Sequence, residues 1–233
     1  MAFIPENAPL VVLSFLGTGL LLALLGGVFF YAALRGRRAL AAWTFGLGAM
    51  VVLTYGGLLG VLSLASDERT LAAGEWKYFC EVDCHLAYRV ESVSAAKTLG
   101  PAGKPVTARG AFTVVTLKTW FDERTIASWR PRDLPLTPGA RAVAVVDEQG
   151  RVFGVAEEAQ RALAQAGGAS TPLTRPLQPG ESYTTTLVFD LPADARAPRL
   201  LLTTLGAPTY FLLGHENSFF HRKVYFQVAP PAK

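Results

Sequence analysis

The chain has 233 residues, of which 51% are hydrophobic and 17% charged, with a formal net charge of +4. Half of that excess lies in the first 66 residues (Arg35, Arg37 and Arg38 against Glu6), so the remainder carries only +2, without a Lys/Arg run or basic stripe. This excludes a nucleic-acid-binding protein.

The hydrophobic residues are unevenly placed. Pro9 to Leu34 is a run of 26 residues without a charge, and Ala39 to Ser66 adds 28 more. Each exceeds the roughly 20 residues that cross a bilayer's hydrocarbon core. Beyond Ser66 no apolar run approaches that length. The pattern predicts a transmembrane helix hairpin over 1–66, with helices at about 9–34 and 39–66, followed by a polar domain. The link between the runs, Arg35-Gly36-Arg37-Arg38, is basic, whereas Met1–Asn7 holds no Lys or Arg and one Glu. Positive charge in short loops stays cytoplasmic, so both termini are expected outside, in the periplasm of a bacterial inner membrane. A cleaved signal peptide would carry its basic residues before a shorter apolar core; here they follow a longer one.

Small residues recur four apart in both runs: Gly19, Ala23 and Gly27, then Gly56 and Gly60. Such faces permit close helix approach in lipid, either closing the hairpin on itself or docking it on other membrane subunits. The absence of Asp, Glu, Lys, Arg and His within the runs argues against an ion or proton path through this chain.

Residues 67–75 read as a tether and 76–228 as a β domain, with 229–233 a tail. Alternating or β-branched stretches include "HLAYRVESV", "AFTVVTLKTWF", "ARAVAVVD", "RVFGV", "SYTTTLVFDL", "PRLLLTTL" and "HRKVYFQV". One helical insertion is expected over Ala156–Ala166, ended by Gly167 and Gly168. About seven short strands over this length predict an antiparallel sandwich. The stretch "LQPGESYTTTLVFDLPADARAPRLLL", with its Pro179-Gly180 turn and Phe-Asp-x-Pro strand end, resembles the telokin-like extracellular immunoglobulin-like domains of bacterial membrane-anchored proteins. "VVDEQGRVFGV", with a turn at Gly150, fits the same pattern. The resemblance implies an immunoglobulin-like sandwich with a binding or scaffolding role and no reaction.

Both cysteines and one histidine fall in "WKYFCEVDCHLAYRV": Cys80, Cys84 and His85. Four readings stand. In an oxidising compartment two lone cysteines pair; residues four apart on one extended strand are about 13 Å apart, so a Cys80–Cys84 disulfide needs a tight turn at Glu81-Val82-Asp83. Covalent haem uses Cys-x-x-Cys-His, and this spacing is one residue longer. Copper suits thiolate and imidazole ligands, with His215 or His221 as the distal ligand here or for haem. The helix-pair layout is similar to subunit two of cytochrome oxidase, but Tyr88 stands where that family's copper centre has His, and the domain lacks Met. Redox thiols are the weakest reading, since Glu81 and Asp83 raise thiol pKa.

Trp120, Phe121 and Trp129 stand among charges as an interface or interfacial belt. Phe211, Phe219, Phe220, Tyr225 and Phe226 read as core or contact surface, His215 as exposed, and His221 as bonded to a backbone group at a strand end. No Ser-His-Asp set, P-loop, dinucleotide fingerprint or His-Glu-x-x-His motif occurs. The expectation is a non-catalytic accessory subunit, without cofactor, bracing other integral membrane subunits, with a respiratory or photosynthetic electron-transport complex as host. The alternative is a copper- or haem-bearing electron carrier.

Overall fold

The computed structural model describes residues 8–81, 83–168 and 170–228; Met1–Asn7 and the tail 229–233, to which the orientation of the termini refers, lie outside the described residues. The chain forms two compact units. One contains the hairpin residues up to Asp67 together with Gly206–Arg222, the other Glu68–Leu205 with the chain from Lys223 onward.

The first unit is built on α1 (Ala8–Leu34) and α2 (Arg38–Leu64), each of 27 residues. At about 1.5 Å per residue each is about 40 Å long, against a hydrocarbon core of about 30 Å, and both are long and apolar enough to cross a membrane. The turn between them passes through Gly36 at φ +69°, a conformation glycine adopts without a Cβ penalty. The half-buried side of α1 carries Phe15, Thr18, Leu22 and Phe29, that of α2 Thr44, Val51, Tyr55 and Leu59, with Ala32 and Ser63 fully buried. These recur at the helical three-and-four spacing.

The small-residue positions do not close the hairpin. Gly19, Ala23, Gly27 and Gly56 are exposed and Gly60 is half-buried; a Cβ added at any of the four glycines meets nothing within 4 Å. The half-buried faces mix large side chains with Gly26, Gly48 and Gly60, and a Cβ added at these three glycines also meets nothing within 4 Å.

The second unit is sandwich-like. One sheet orders β2 (Lys77–Cys80), β3 (His85–Leu99), β4 (Val106–Asp122) and β7 (Ser182–Leu191) as β2-β3-β4-β7, all antiparallel. The other orders β1 (Arg69–Leu71), β9 (Val224–Gln227), β8 (Arg199–Thr204), β5 (Arg141–Val146) and β6 (Val152–Phe153) as β1-β9-β8-β5-β6. It is antiparallel except where β1 runs parallel to β9. The expected tether therefore supplies an edge strand, and the domain expected over 76–228 loses Gly206–Arg222 to the hairpin unit.

Alternation along the strands builds the core. Leu86, Tyr88, Leu117, Phe121 and Phe189 from the four-stranded sheet meet Val145, Leu200, Leu202 and Phe226 from the other, all 0% exposed. Each large apolar side chain so buried stabilises the fold by about 1.5–3 kcal/mol. The predicted turns form as read: Gly180 (φ +79°) precedes β7, and Gly150 (φ +76°) joins β5 to β6. The helical insertion is α3 (Glu157–Gln165), which buries Ala159 and Ala162. Its Gln160 donates to Thr186 O and accepts from Val188 N, covering the edge of β7. Two 3₁₀ turns, Glu123–Thr125 and Ala207–Phe211, add to the single helical insertion the sequence predicts.

Candidate functional site: the first hairpin and its tryptophan ladder

The β2–β3 hairpin decides the fate of the cysteine cluster. Its register pairs Lys77 with Tyr88, Phe79 with Leu86 and Cys80 with His85, and Glu81 N donates to Cys84 O at 2.9 Å to close the turn. Directly opposed residues share a face, and successive residues alternate. Cys80 and His85 therefore lie on the outer face of the sheet. Cys84 turns inward with Leu86 and Tyr88 and is 1% exposed.

The expected staple is not closed: no disulfide joins Cys80 and Cys84. The turn is tight, as a disulfide requires, yet it points the two side chains to opposite sides of the hairpin. Cys84 Sγ instead donates to Asp83 Oδ1 at 3.2 Å. Burial, reinforced by the Asp83 carboxylate, pushes the Cys84 thiol up to about 12. The same register sets Cys84 on the face opposite Cys80 and His85. His215 and His221 belong to the hairpin unit. Among the described residues no group of three or more His, Cys, Asp or Glu is placed to hold a metal ion.

The inward face carries an ionic layer at the end of the core. Lys77, 1% exposed, donates Nζ to Leu202 O at 2.7 Å and Val224 O at 3.0 Å, tying β2 to the opposite sheet. Arg141 pairs with Glu81 and lies over the rings of Phe79 and Tyr88 at 4.5 and 5.6 Å. At the turn, Asp83 pairs with Arg130 at 2.6 Å, and Arg130 also donates to Leu134 O and Pro135 O. Burial works against the Asp83 carboxylate, but the Arg130 and Cys84 hydrogen bonds outweigh it and hold its pKa below the ordinary value.

The outward face carries a cation–aromatic ladder. Trp76 and Trp120 lie 5.4 Å apart between centroids. The Arg89 guanidinium lies 4.6 Å over Trp76, and that of Arg124 5.3 Å over Trp120. Arg124 also pairs with Asp122 at 2.8 Å, and Tyr78 Oη bonds Asp122 Oδ2 at 3.1 Å. Burial opposes the Asp122 carboxylate, yet the Arg124 side chain and backbone and the Tyr78 hydroxyl together lower its pKa. His85 packs edge-on against Tyr78, and its buried Nδ1 finds no hydrogen-bond partner among the described residues. Burial lowers the His85 pKa, against the opposing pull of Asp122.

Of the expected interface residues, Trp120 is on this ladder and Trp129 is 70% exposed, but Phe121 is 0% exposed. Phe121 cannot be a contact residue because its β4 position faces the core. Tyr225 and Phe226 are also core, whereas Phe211, Phe219 and Phe220 are exposed. His215 is half-buried, not exposed, and its Nδ1 accepts from Asn217 N at 3.0 Å. His221 Nδ1 lies 2.6 Å from Arg222 O. Sequence reading missed Trp76, Arg89 and Arg124 as ladder members. The alternation Trp76-Tyr78-Cys80 against His85-Ala87-Arg89 was the available signal.

No family model matches this chain, and no curated protein matches it. Among solved structures it is similar to a conserved hypothetical protein from Bacillus anthracis, with 16% identity and TM-score 0.40, over 55% of this chain and 85% of that one. It is also similar to the secreted protein MPT63 from Mycobacterium tuberculosis (14% identity, TM-score 0.41, 71% of this chain and 99% of that one). The YjhA protein from Bacillus subtilis is a third, with 11% identity and TM-score 0.38, over 68% of this chain and 98% of that one.

Proposed function

We propose that this chain is a non-catalytic accessory subunit of a bacterial inner-membrane assembly. α1 and α2 anchor it with both termini in the periplasm. An immunoglobulin-like sandwich of the telokin-like kind braces the periplasmic parts of partner subunits, and a respiratory or photosynthetic electron-transport complex is the host. The Arg89–Trp76–Trp120–Arg124 ladder carries the reading. Tryptophan and arginine dominate binding hot spots, because each offers a large, partly desolvated contact, and here two of each lie in contact on one sheet face.

The exposed stripe of Gly19, Ala23 and Gly27 supports the membrane part of the same reading, since the hairpin leaves it unused. Small-residue faces are how helices approach one another in lipid. The test is purification of the tagged full chain from native membranes in mild detergent, beside a Gly19→Leu/Gly27→Leu variant. Co-purifying integral membrane proteins that the variant loses, with the variant still inserted and folded, are the expected result. A chain that elutes alone overturns the reading.

A further inference from the structure

The chain leaves β8 at Thr204 and returns to β9 at Val224, and between them Gly206–Arg222 folds with α1 and α2. Two hydrogen bonds fix its level on α2. Arg222 N donates to Ser66 Oγ at 2.9 Å, just beyond the helix end. Tyr55 Oη donates to Phe211 O at 2.8 Å. Tyr55 stands nine residues before Leu64, the last residue of α2, which is about 13 Å along the axis. A core about 30 Å thick, counted from the basic turn at Arg38, extends through about 20 residues, to the neighbourhood of Leu58. Phe211 thus meets the helix below the outer edge of that span.

The segment has the polarity such a level demands. Its turns close on themselves: Thr209 N donates to Gly206 O, His215 N to Leu212 O, Ser218 N to His215 O and His221 N to Ser218 O. Asn217 Nδ2 donates to Thr209 Oγ1 at 3.1 Å, and Ser218 Oγ to Leu212 O. Glu216, Asn217 and Ser218 are buried, while Tyr210, Phe211, Phe219 and Phe220 are 47, 47, 50 and 79% exposed. Phe219 joins the cluster by stacking on Tyr210 at 5.8 Å and meeting Phe211 edge-on at 5.7 Å. Phe220 holds the left-handed φ of +65°, a conformation disfavoured for a non-glycine residue, and it is the most exposed of the four. Polar groups inside and aromatic groups outside invert the arrangement of a loop in water. They suit a boundary where free backbone groups are costly and aromatic rings collect.

We infer that Gly206–Arg222 is a re-entrant loop that inserts Tyr210, Phe211, Phe219 and Phe220 among lipids of the outer leaflet, at the boundary of headgroups and acyl chains. Its occupant is lipid because the loop is continuous with the lipid-facing span of α2. The inference rests on reading α1 and α2 as bilayer-spanning. It makes the segment between β8 and β9 a second membrane attachment, besides the covalent link through Asp67.

The test places photoreactive benzoylphenylalanine at Phe220, and separately at Leu53, a 75% exposed position of α2. The full chain is reconstituted in phosphatidylcholine–phosphatidylglycerol vesicles, and the products are read by mass. Phospholipid adducts at both positions, in comparable yield, are expected. Adducts at Leu53 alone overturn the loop insertion and leave the anchor standing. Cross-links from position 220 to a second copy of the chain overturn it in favour of a protein interface. Adducts at neither position overturn the anchor, and the inference with it.

Discussion

Cys80 stands directly across the β2–β3 ladder from His85, while Cys84 looks to the opposite side of the same hairpin. This separation makes a thiol-reactivity prediction. Two thiols per chain are expected to titrate after denaturation without reductant. In the folded protein Cys80 reacts first. A thiol pushed up to about 12 is only ~10⁻⁴ ionised at pH 8, so Cys84 labelling is expected to be slower by roughly 10²-fold or more. Recovery of no free thiol in the denatured chain would show a disulfide and contradict the hairpin register.

Glu81 and Arg141 supply the second prediction. The Arg141 side chain is 2% exposed and pairs with Glu81. Glu81→Ala leaves a buried guanidinium without its carboxylate, and removing one partner of such a pair costs about 3–5 kcal/mol. A Glu81→Leu/Arg141→Met double variant removes both charges and recovers most of that loss. Chemical denaturation in detergent micelles, followed by far-UV circular dichroism, measures both.

The pH dependence follows from His85 and Asp122. Burial lowers the folded-state pKa of His85 from the ordinary 6.5, so below that value the unfolded chain binds the extra proton first. The contribution is complete above about 6.5 and is lost as pH falls toward the depressed value. The Asp122 pKa is also lowered, from 3.8, so its contribution is complete above the ordinary carboxylate range and lost below it. Stability is expected to decline in two acidic windows. His85→Phe flattens the upper one and Asp122→Asn the lower, as read from thermal midpoints between pH 3 and 8.

Gly110 gives a steric prediction without conformational strain. A Cβ there would lie 2.3 Å from Leu191 O and 2.5 Å from Ala193 N. Gly110→Ala must push β4 away from the end of β7, at a cost of about 1–3 kcal/mol. Gly103, where an added Cβ meets nothing within 4 Å, is the control, and Gly103→Ala is expected to leave the thermal midpoint unchanged.

Trp76→Ala and Trp120→Ala test the ladder. Each removes a ring that is packed between the other indole and an arginine. A loss of about 2 kcal/mol or more in partner affinity is the scale of a hot spot, and the isolated domain is expected to keep its fold. Quantitative pull-down from native membranes reads the difference.

The hairpin was legible because long uncharged runs read as long apolar helices, and α1 and α2 end within two residues of the expected bounds. The strands at His85, Arg141 and Ser182 were legible from alternation and from the turns at Gly150 and Gly180. β1 was not, because Arg69-Thr70-Leu71 carries too short a pattern and gains its meaning only from pairing with β9. The small-residue stripe was visible, but which side of a helix meets its neighbour depends on the whole buried face, and Phe15, Leu22 and Phe29 set that face. The side of the hairpin taken by Cys84 depended on the register at Cys80 and His85, and a one-residue slip would have reversed it. Gly206–Arg222 resembled any polar–aromatic loop until its hydrogen bonds to Tyr55 and Ser66 were known.

On the proposed reading, α1 and α2 cross the bilayer and hold the sandwich on its outer side. Protease treatment of the full chain in right-side-out spheroplasts, beside inverted membrane vesicles, distinguishes this placement from its reverse. Cleavage of the 68–205 region in spheroplasts, with protection in inverted vesicles, is the predicted result. Protection in spheroplasts with cleavage in inverted vesicles, or release of the intact chain by alkaline carbonate, would contradict it.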